Sequence, residues 1–170
     1  TGDASLSKRD FSRVIIPLKK FGVNFYPKNR SKLPFYISGS NFLNPITYHE
    51  KKGSAQCKSC IMLAALNTDG KTILKAKKSR DHTEILFKHL NIPMKIKKEK
   101  NNDLIEVYGK KSFKSFNYNI PSDISSSAFF IVLTLLSKKS SLIIKNVNIN
   151  PSRIGVITIF KKMGISINFK

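Results

Sequence analysis

Three stretches of this chain repeat one phrase at intervals of about 70 residues, and that period constrains the fold more than any other feature. They are Leu18-Lys19-Lys20-Phe21-Gly22-Val23, Phe87-Lys88-His89-Leu90-Asn91-Ile92 and Phe160-Lys161-Lys162-Met163-Gly164-Ile165. Each reads as the end of an amphipathic helix, a Gly or Asn suited to a left-handed cap, and entry into an alternating strand. A second phrase recurs, because residues 54–66 and 125–136 are hydroxyl-started helices followed by strands at 72–75 and 141–147. The unit is therefore helix, strand, helix, strand, strand, with one full copy from about residue 54 to residue 118. An earlier copy ends before it, and most of a further copy follows.

The helical segments 61–66 and 128–136 are apolar nearly all round, so they are expected to be enclosed. Neither is long enough to span a membrane. A strand at 113–118 mixes apolar and polar residues, as expected of a sheet that faces water on one side. Pro121-Ser122-Asp123 suits a strand exit followed by a helix N-cap, which puts a boundary near residue 120 between segments 1–120 and 121–170.

The formal net charge is +21, a value that raises nucleic acid or an anionic membrane as partner. The excess is mostly Lys, with arginine only at 9, 13, 30, 80 and 153. Lysines such as Lys75, Lys77, Lys95, Lys97 and Lys110 scatter over strands and loops, as a solvated surface requires. No helix-turn-helix, zinc-finger or aromatic RNP pattern accompanies them. Cys57 and Cys60 form a single C-x-x-C inside an apolar helix, without the second pair or His spacing of a zinc site. They read as buried free thiols.

Two runs carry candidate chemistry. Gly53-Ser54-Ala55-Gln56-Cys57-Lys58 and Ser79-Arg80-Asp81-His82-Thr83-Glu84 each place hydroxyl, amide or cationic groups at the start of a helix. Free N–H groups and the positive dipole end make such a place a seat for phosphate or carboxylate. Each residue also has a plain structural reading. Ser54 suits an N-cap, Ser79 caps beside Arg80, and Asp81 and Glu84 complement the dipole.

These runs, with Thr1-Gly2-Asp3-Ala4-Ser5-Leu6, Ser7-Lys8-Arg9-Asp10, Pro121-Ser122-Asp123-Ile124-Ser125-Ser126 and Asn150-Pro151-Ser152-Arg153, resemble the EPSP synthase family in order and spacing. The S-A-Q-x-K, R-D-H-T-E and N-x-S-R set is similar to the class II branch, whose known members tolerate glyphosate. The resemblance implies an internal segment of a longer, two-lobed enzyme. Its fold would be an inside-out α/β barrel of repeated βαβαββ units, with residue 120 near the lobe junction. It implies transfer of the enolpyruvyl group of phosphoenolpyruvate to the 5-hydroxyl of shikimate 3-phosphate, with release of phosphate and no metal or organic cofactor. The full-length enzyme would be a cytoplasmic monomer with no specific nucleic-acid or membrane partner.

Carried over residue by residue, the resemblance implies that Ser54, Ala55, Gln56 and Arg80 bind shikimate 3-phosphate. Arg9 and Gln56 would bind phosphoenolpyruvate. The family usually has Pro after this Arg, whereas here a carboxylate, Asp10, follows and would compete for Arg9 or reorient its loop. Asp123 has two readings, a substrate contact or an N-cap. Ser122 replaces the family Gly beside it, which bears on any backbone conformation with positive φ. Arg153 caps or orients a helix, and Arg13 reads as solvated. The proton-transfer carboxylates and catalytic lysines of the family fall outside these residues, so no catalytic residue is assigned here.

Two rivals remain. UDP-N-acetylglucosamine enolpyruvyl transferase shares the fold and chemistry but uses a loop Cys as acid, whereas Cys57 and Cys60 fall in a helix. A basic nucleic-acid-binding module rests on net charge alone.

Overall fold

A computed structural model describes residues 2–110, 112 and 114–169 of the chain. The chain divides into two compact units, Thr1–Lys114 and Ser115–Lys170.

The first unit begins with helices α1 (Ala4–Ser7) and α2 (Ser12–Phe21) and a hairpin of β1 (Asn24–Tyr26) with β2 (Tyr36–Ser38). Then follow β3 (Thr47–Glu50), α3 (Ala55–Ala65), β4 (Lys71–Lys77), α4 (His82–His89), β5 (Met94–Lys98) and β6 (Asn102–Tyr108). The order β3-α3-β4-α4-β5-β6 is one βαβαββ unit. Its strands lie side by side as β3-β4-β6-β5, with β3 parallel to β4 and the other neighbours antiparallel. The unit thus begins with a strand, β3, that the sequence reading did not assign, and ends at Tyr108 instead of Tyr118. Of the expected strand at 113–118, Phe113 lies outside the described residues and 114–118 form no strand.

Strand alternation sorts the sheet into two faces. Thr72, Leu74 and Ala76 of β4 and Ile105 and Val107 of β6 point inward and are buried. Leu74, Ala76, Ile105 and Val107 meet Cys57, Ile61, Met62 and Ala65 of α3, Phe87 of α4 and Phe21 of α2 in one apolar core. The other face carries Lys71, Lys75, Lys95 and Lys97, as their pairing with outward residues of β6 requires. Lys71 and Lys75 form partly exposed ion pairs with Glu106 and Glu99 at 3.3 and 4.0 Å. Helices cover one face of the sheet and water the other.

The repeated phrase has one backbone meaning at all three places. Gly22, Asn91 and Gly164 are left-handed, with φ of 105, 53 and 84°. The next residue in each case, Val23, Ile92 or Ile165, donates its N–H to Leu18, Phe87 or Phe160 at 3.1, 2.9 and 3.0 Å. That six-to-one bond closes the helix end and turns the chain outward.

The second unit contains α5 (Ile124–Leu136) and α6 (Gly155–Lys162). Two expectations fail here. The segment 141–147 forms no strand, and its pairing is limited to a bridge between Ser122 and Val147. A strand exists by its neighbour's hydrogen bonds, and this unit offers no ladder to join. The apolar helix α5 is not enclosed either. Within its unit Phe129, Phe130, Leu133 and Leu136 stay 79, 62, 63 and 81% exposed, while Ile124 and Ser127 are buried. A layer of secondary structure buries its apolar surface only against another layer, and residues 115–170 do not supply one. Among the described residues, no helix is long and apolar enough to cross a membrane.

Candidate functional site

The loop entering α3 is fixed from below by Glu50. This residue is 4% exposed, and its two carboxylate oxygens accept the N–H groups of Lys52 and Gly53 at 2.8 Å each. Gly53 has φ +72°, and a Cβ there would press to 3.3 Å on the carbonyl oxygen of Lys78. The glycine therefore does two things: it supplies the left-handed turn and lets the segment before Arg80 lie against the segment before Ser54.

Ser54 is the N-cap of α3, its Oγ accepting the Cys57 N–H at 3.2 Å. A hydroxyl that accepts one bond keeps its own proton to donate. Capping and ligand binding are compatible in this side chain. The first intrahelical bond is Lys58 N–H to the Ser54 carbonyl, at 3.0 Å. The Ala55 and Gln56 N–H groups precede it and belong to the open end of the helix. Gln56 is exposed and Ala55 half-buried.

Arg80 is exposed immediately before α4. Ser79 does not cap this helix. The N-cap is Asp81, without a side-chain capping bond, and Ser79 Oγ is buried with no hydrogen-bond partner among the described residues. Two side-chain bonds then tie the first turns of α3 and α4. Ser59 Oγ meets Thr83 Oγ1 at 2.6 Å, and Lys58 Nζ meets Glu84 Oε1 at 2.5 Å, with side chains 1 and 7% exposed. The sequence reading credited Glu84 to the helix dipole alone and gave Lys58 no role. Their signal was present: Lys58 stands four residues after Ser54 and Glu84 four residues after Arg80, and the two charges are opposite.

Arg9 lies exposed in the turn after α1, its N–H bonded to the Leu6 carbonyl at 3.1 Å. Asp10 is occupied at the start of α2. Its Oδ1 accepts the Ser12 N–H at 2.6 Å and its Oδ2 the Ser31 hydroxyl at 3.4 Å. These bonds from Ser12, then from Ser31, hold its carboxyl below the usual value. The residue that replaces the family Pro thus fixes a helix start. Arg13, expected to be solvated, is exposed on α2.

In the second unit Asp123 caps α5. Its Oδ1 accepts the Ser125 N–H at 3.0 Å and the Arg153 Nη2 at 2.7 Å, and Arg153 also donates to Ser125 Oγ at 2.5 Å. The backbone bond, then the guanidinium, lowers the Asp123 pKa. Arg153 therefore holds a helix start across 30 residues. Ser122 is not left-handed, so its replacement of Gly imposes no positive-φ strain.

Cys57 and Cys60 are free thiols in α3. Burial, aided by the Glu50 charge and Cys60, pushes the Cys57 thiol from 9.0 up to about 12, and burial also raises Cys60. The folded chain keeps these protons where the unfolded chain has lost them. The contribution of Cys57 to stability is complete below pH 9.0 and is lost as pH rises toward about 12. Cys57 is 2% exposed, whereas Cys60, expected to be buried too, is only half-buried. Cys57 is expected to resist alkylation at pH 8 until denaturant is added, and its rapid labelling in the native chain would contradict the burial.

A sequence model of EPSP synthase (3-phosphoshikimate 1-carboxyvinyltransferase) matches residues 1–170. A 3-phosphoshikimate 1-carboxyvinyltransferase from Caldicellulosiruptor bescii is 41% identical over 100% of this chain and 40% of its own length. Another, from Ruthia magnifica, is 43% identical over 98% of this chain and 38% of its own length. The solved EPSP synthase of Acinetobacter baumannii superposes with a TM-score of 0.78 at 38% identity, covering 96% of this chain and 36% of that one. The chain thus spans about 40% of the length of the curated relatives it matches. The βαβαββ unit is a part of that larger fold. With a family model matching residues 1–170, relatives above 40% identity along it and a solved family structure superposing on 96% of it, the chain belongs to the EPSP synthase family.

Proposed function

We propose that the full-length enzyme carrying this chain transfers the enolpyruvyl group of phosphoenolpyruvate to the 5-hydroxyl of shikimate 3-phosphate, giving EPSP and phosphate. One observation carries this reading for the residues present. The helix starts bearing Ser54-Ala55-Gln56 and Arg80 lie side by side, tied by Lys58–Glu84 and Ser59–Thr83. The Ser54 hydroxyl, the N–H groups of Ala55 and Gln56, and the Arg80 guanidinium are then donors for the phosphate and hydroxyls of shikimate 3-phosphate. All are suited to oxyanions. Gln56 and Arg9 serve phosphoenolpyruvate, Arg9 because a guanidinium pairs carboxylate or phosphate oxygens in a fork and stays charged. Asp123 orders the start of the returning lobe, with the junction near residue 120. The contribution of this segment is positioning and charge stabilisation in a closed cleft; proton transfer falls to residues beyond it. The enzyme works as a cytoplasmic monomer.

The test measures phosphate release by the full-length enzyme. Release is expected only when shikimate 3-phosphate and phosphoenolpyruvate are both present, and not when UDP-N-acetylglucosamine replaces the former. RNA should bind weakly and without sequence preference, its affinity falling steeply with salt. Tight, sequence-selective RNA binding with no phosphate release would overturn the proposal in favour of a nucleic-acid module. Release with the UDP-sugar would transfer it to the sister enzyme.

A further inference from the structure

The Lys58–Glu84 pair is an unusual way to join two helices. Lys58 stands in the first turn of α3, where the helix dipole disfavours a cation, and its side chain is 1% exposed. Glu84 is 7% exposed, and its second oxygen, Oε2, is buried with no hydrogen-bond partner among the described residues. A buried ion pair with an unsatisfied oxygen contributes little to stability, and well-packed apolar residues commonly do as well or better. What it does provide is direction. The ammonium and carboxylate meet at 2.5 Å, a separation that apolar side chains do not enforce. The Ser59–Thr83 bond lies one residue along from each partner, and the Gly53–Lys78 approach lies below. Together they set the spacing of the two helix starts. A departure from local preference at such a place marks function more often than stability.

Resting on the function proposed above, we infer that Lys58 and Glu84 are positioning residues for shikimate 3-phosphate. They hold the Arg80 turn against the Ser54-Ala55-Gln56 turn, so that donors from two helices reach one oxyanion. Neither touches the reacting atoms, so their removal should weaken binding of that substrate and leave the chemical step largely intact.

The test uses the full-length enzyme with the double substitution Lys58→Met and Glu84→Leu, which removes both charges and fills the same space. Melting temperature should stay near wild type. KM for shikimate 3-phosphate should rise about tenfold or more, with kcat and the KM for phosphoenolpyruvate changed about twofold or less. A folded double variant with wild-type KM would overturn the inference and leave the pair merely structural. If that variant does not fold, Glu84→Asp decides. It keeps the charge but shortens the reach, and should raise the same KM several-fold; a folded Glu84→Asp with wild-type KM overturns the inference as well. Wild-type enzyme run alongside separates the two claims. Absence of substrate-dependent phosphate release there refutes the function, whereas normal release with insensitive variants refutes only the positioning role.

Discussion

Replacing Arg80 with Ala in the full-length enzyme is expected to lower kcat/KM for shikimate 3-phosphate by roughly ten- to more than hundredfold without lowering thermal stability. A hydrogen bond to a charged group contributes about 1.5–3 kcal/mol, which sets that range if it is made in the transition state. Arg80 is exposed, so its loss opens no cavity in the core. Gln56→Ala should behave alike. Gln56 is exposed in the first turn of α3, and Ala is a better helix former, so any loss of activity reflects a lost contact. Cys57→Ser and His89→Gln provide the contrast. Cys57 is 2% exposed, so its substitution acts on stability, and both should change kcat/KM far less. Steady-state kinetics beside thermal melts distinguish these cases. Unchanged kinetics in both Arg80→Ala and Gln56→Ala would refute the assignment.

Gly109→Ala is expected to be the most damaging small substitution in the first unit, costing on the order of 4 kcal/mol or more, or preventing folding. Gly109 follows β6 and donates its N–H to the Gly70 carbonyl at 3.0 Å, while Lys110 donates to Leu66 at 2.9 Å. The strand end is thereby clamped against the C-terminus of α3. A Cβ on Gly109 would overlap the carbonyl oxygens of Ala65 and Thr68. Both obstructions are backbone, and Ala65 and Thr68 are fully buried, so no side chain can swing aside. For a chain of this size the melting temperature should fall by roughly 10 °C or more. Gly155→Ala is the control. Among the described residues nothing lies within 4 Å of its added Cβ, and the change should be neutral or stabilise by about 0.4–1 kcal/mol through the unfolded chain. A Gly109→Ala variant that melts with wild type would show that the two segments are not in contact.

The features legible before the structure are those that a few neighbouring residues decide. Ser54 caps α3, and Gly22, Asn91 and Gly164 each adopt the left-handed conformation that their phrase predicts. The expected helices at 54–66 and 125–136 are observed as Ala55–Ala65 and Ile124–Leu136. Strands fared worse. The first-unit strand expected at 72–75 is present within β4, because β3 and β6 flank it with hydrogen bonds. The strand expected at 141–147 is absent, although its composition is no poorer. Composition records a residue's tolerance for extended backbone, not whether a partner strand stands beside it.

The site divides along the same line. The motifs around Ser54 and Arg80, their helix-starting positions and their family resemblance were all contained in the sequence, because a cap, a helix dipole and a motif are local properties. That Lys58 and Glu84 would form a buried pair, that Ser79 would be left uncapping, and that Asp10 would hold the start of α2 were decided only in three dimensions. Each depends on groups brought together by strand pairing and helix packing, from up to 26 residues away in the case of Lys58 and Glu84. The sequence determined which groups could meet an anion. The tertiary structure decided which of them stand together, since a charge buried far along the chain takes its partner from the packing around it.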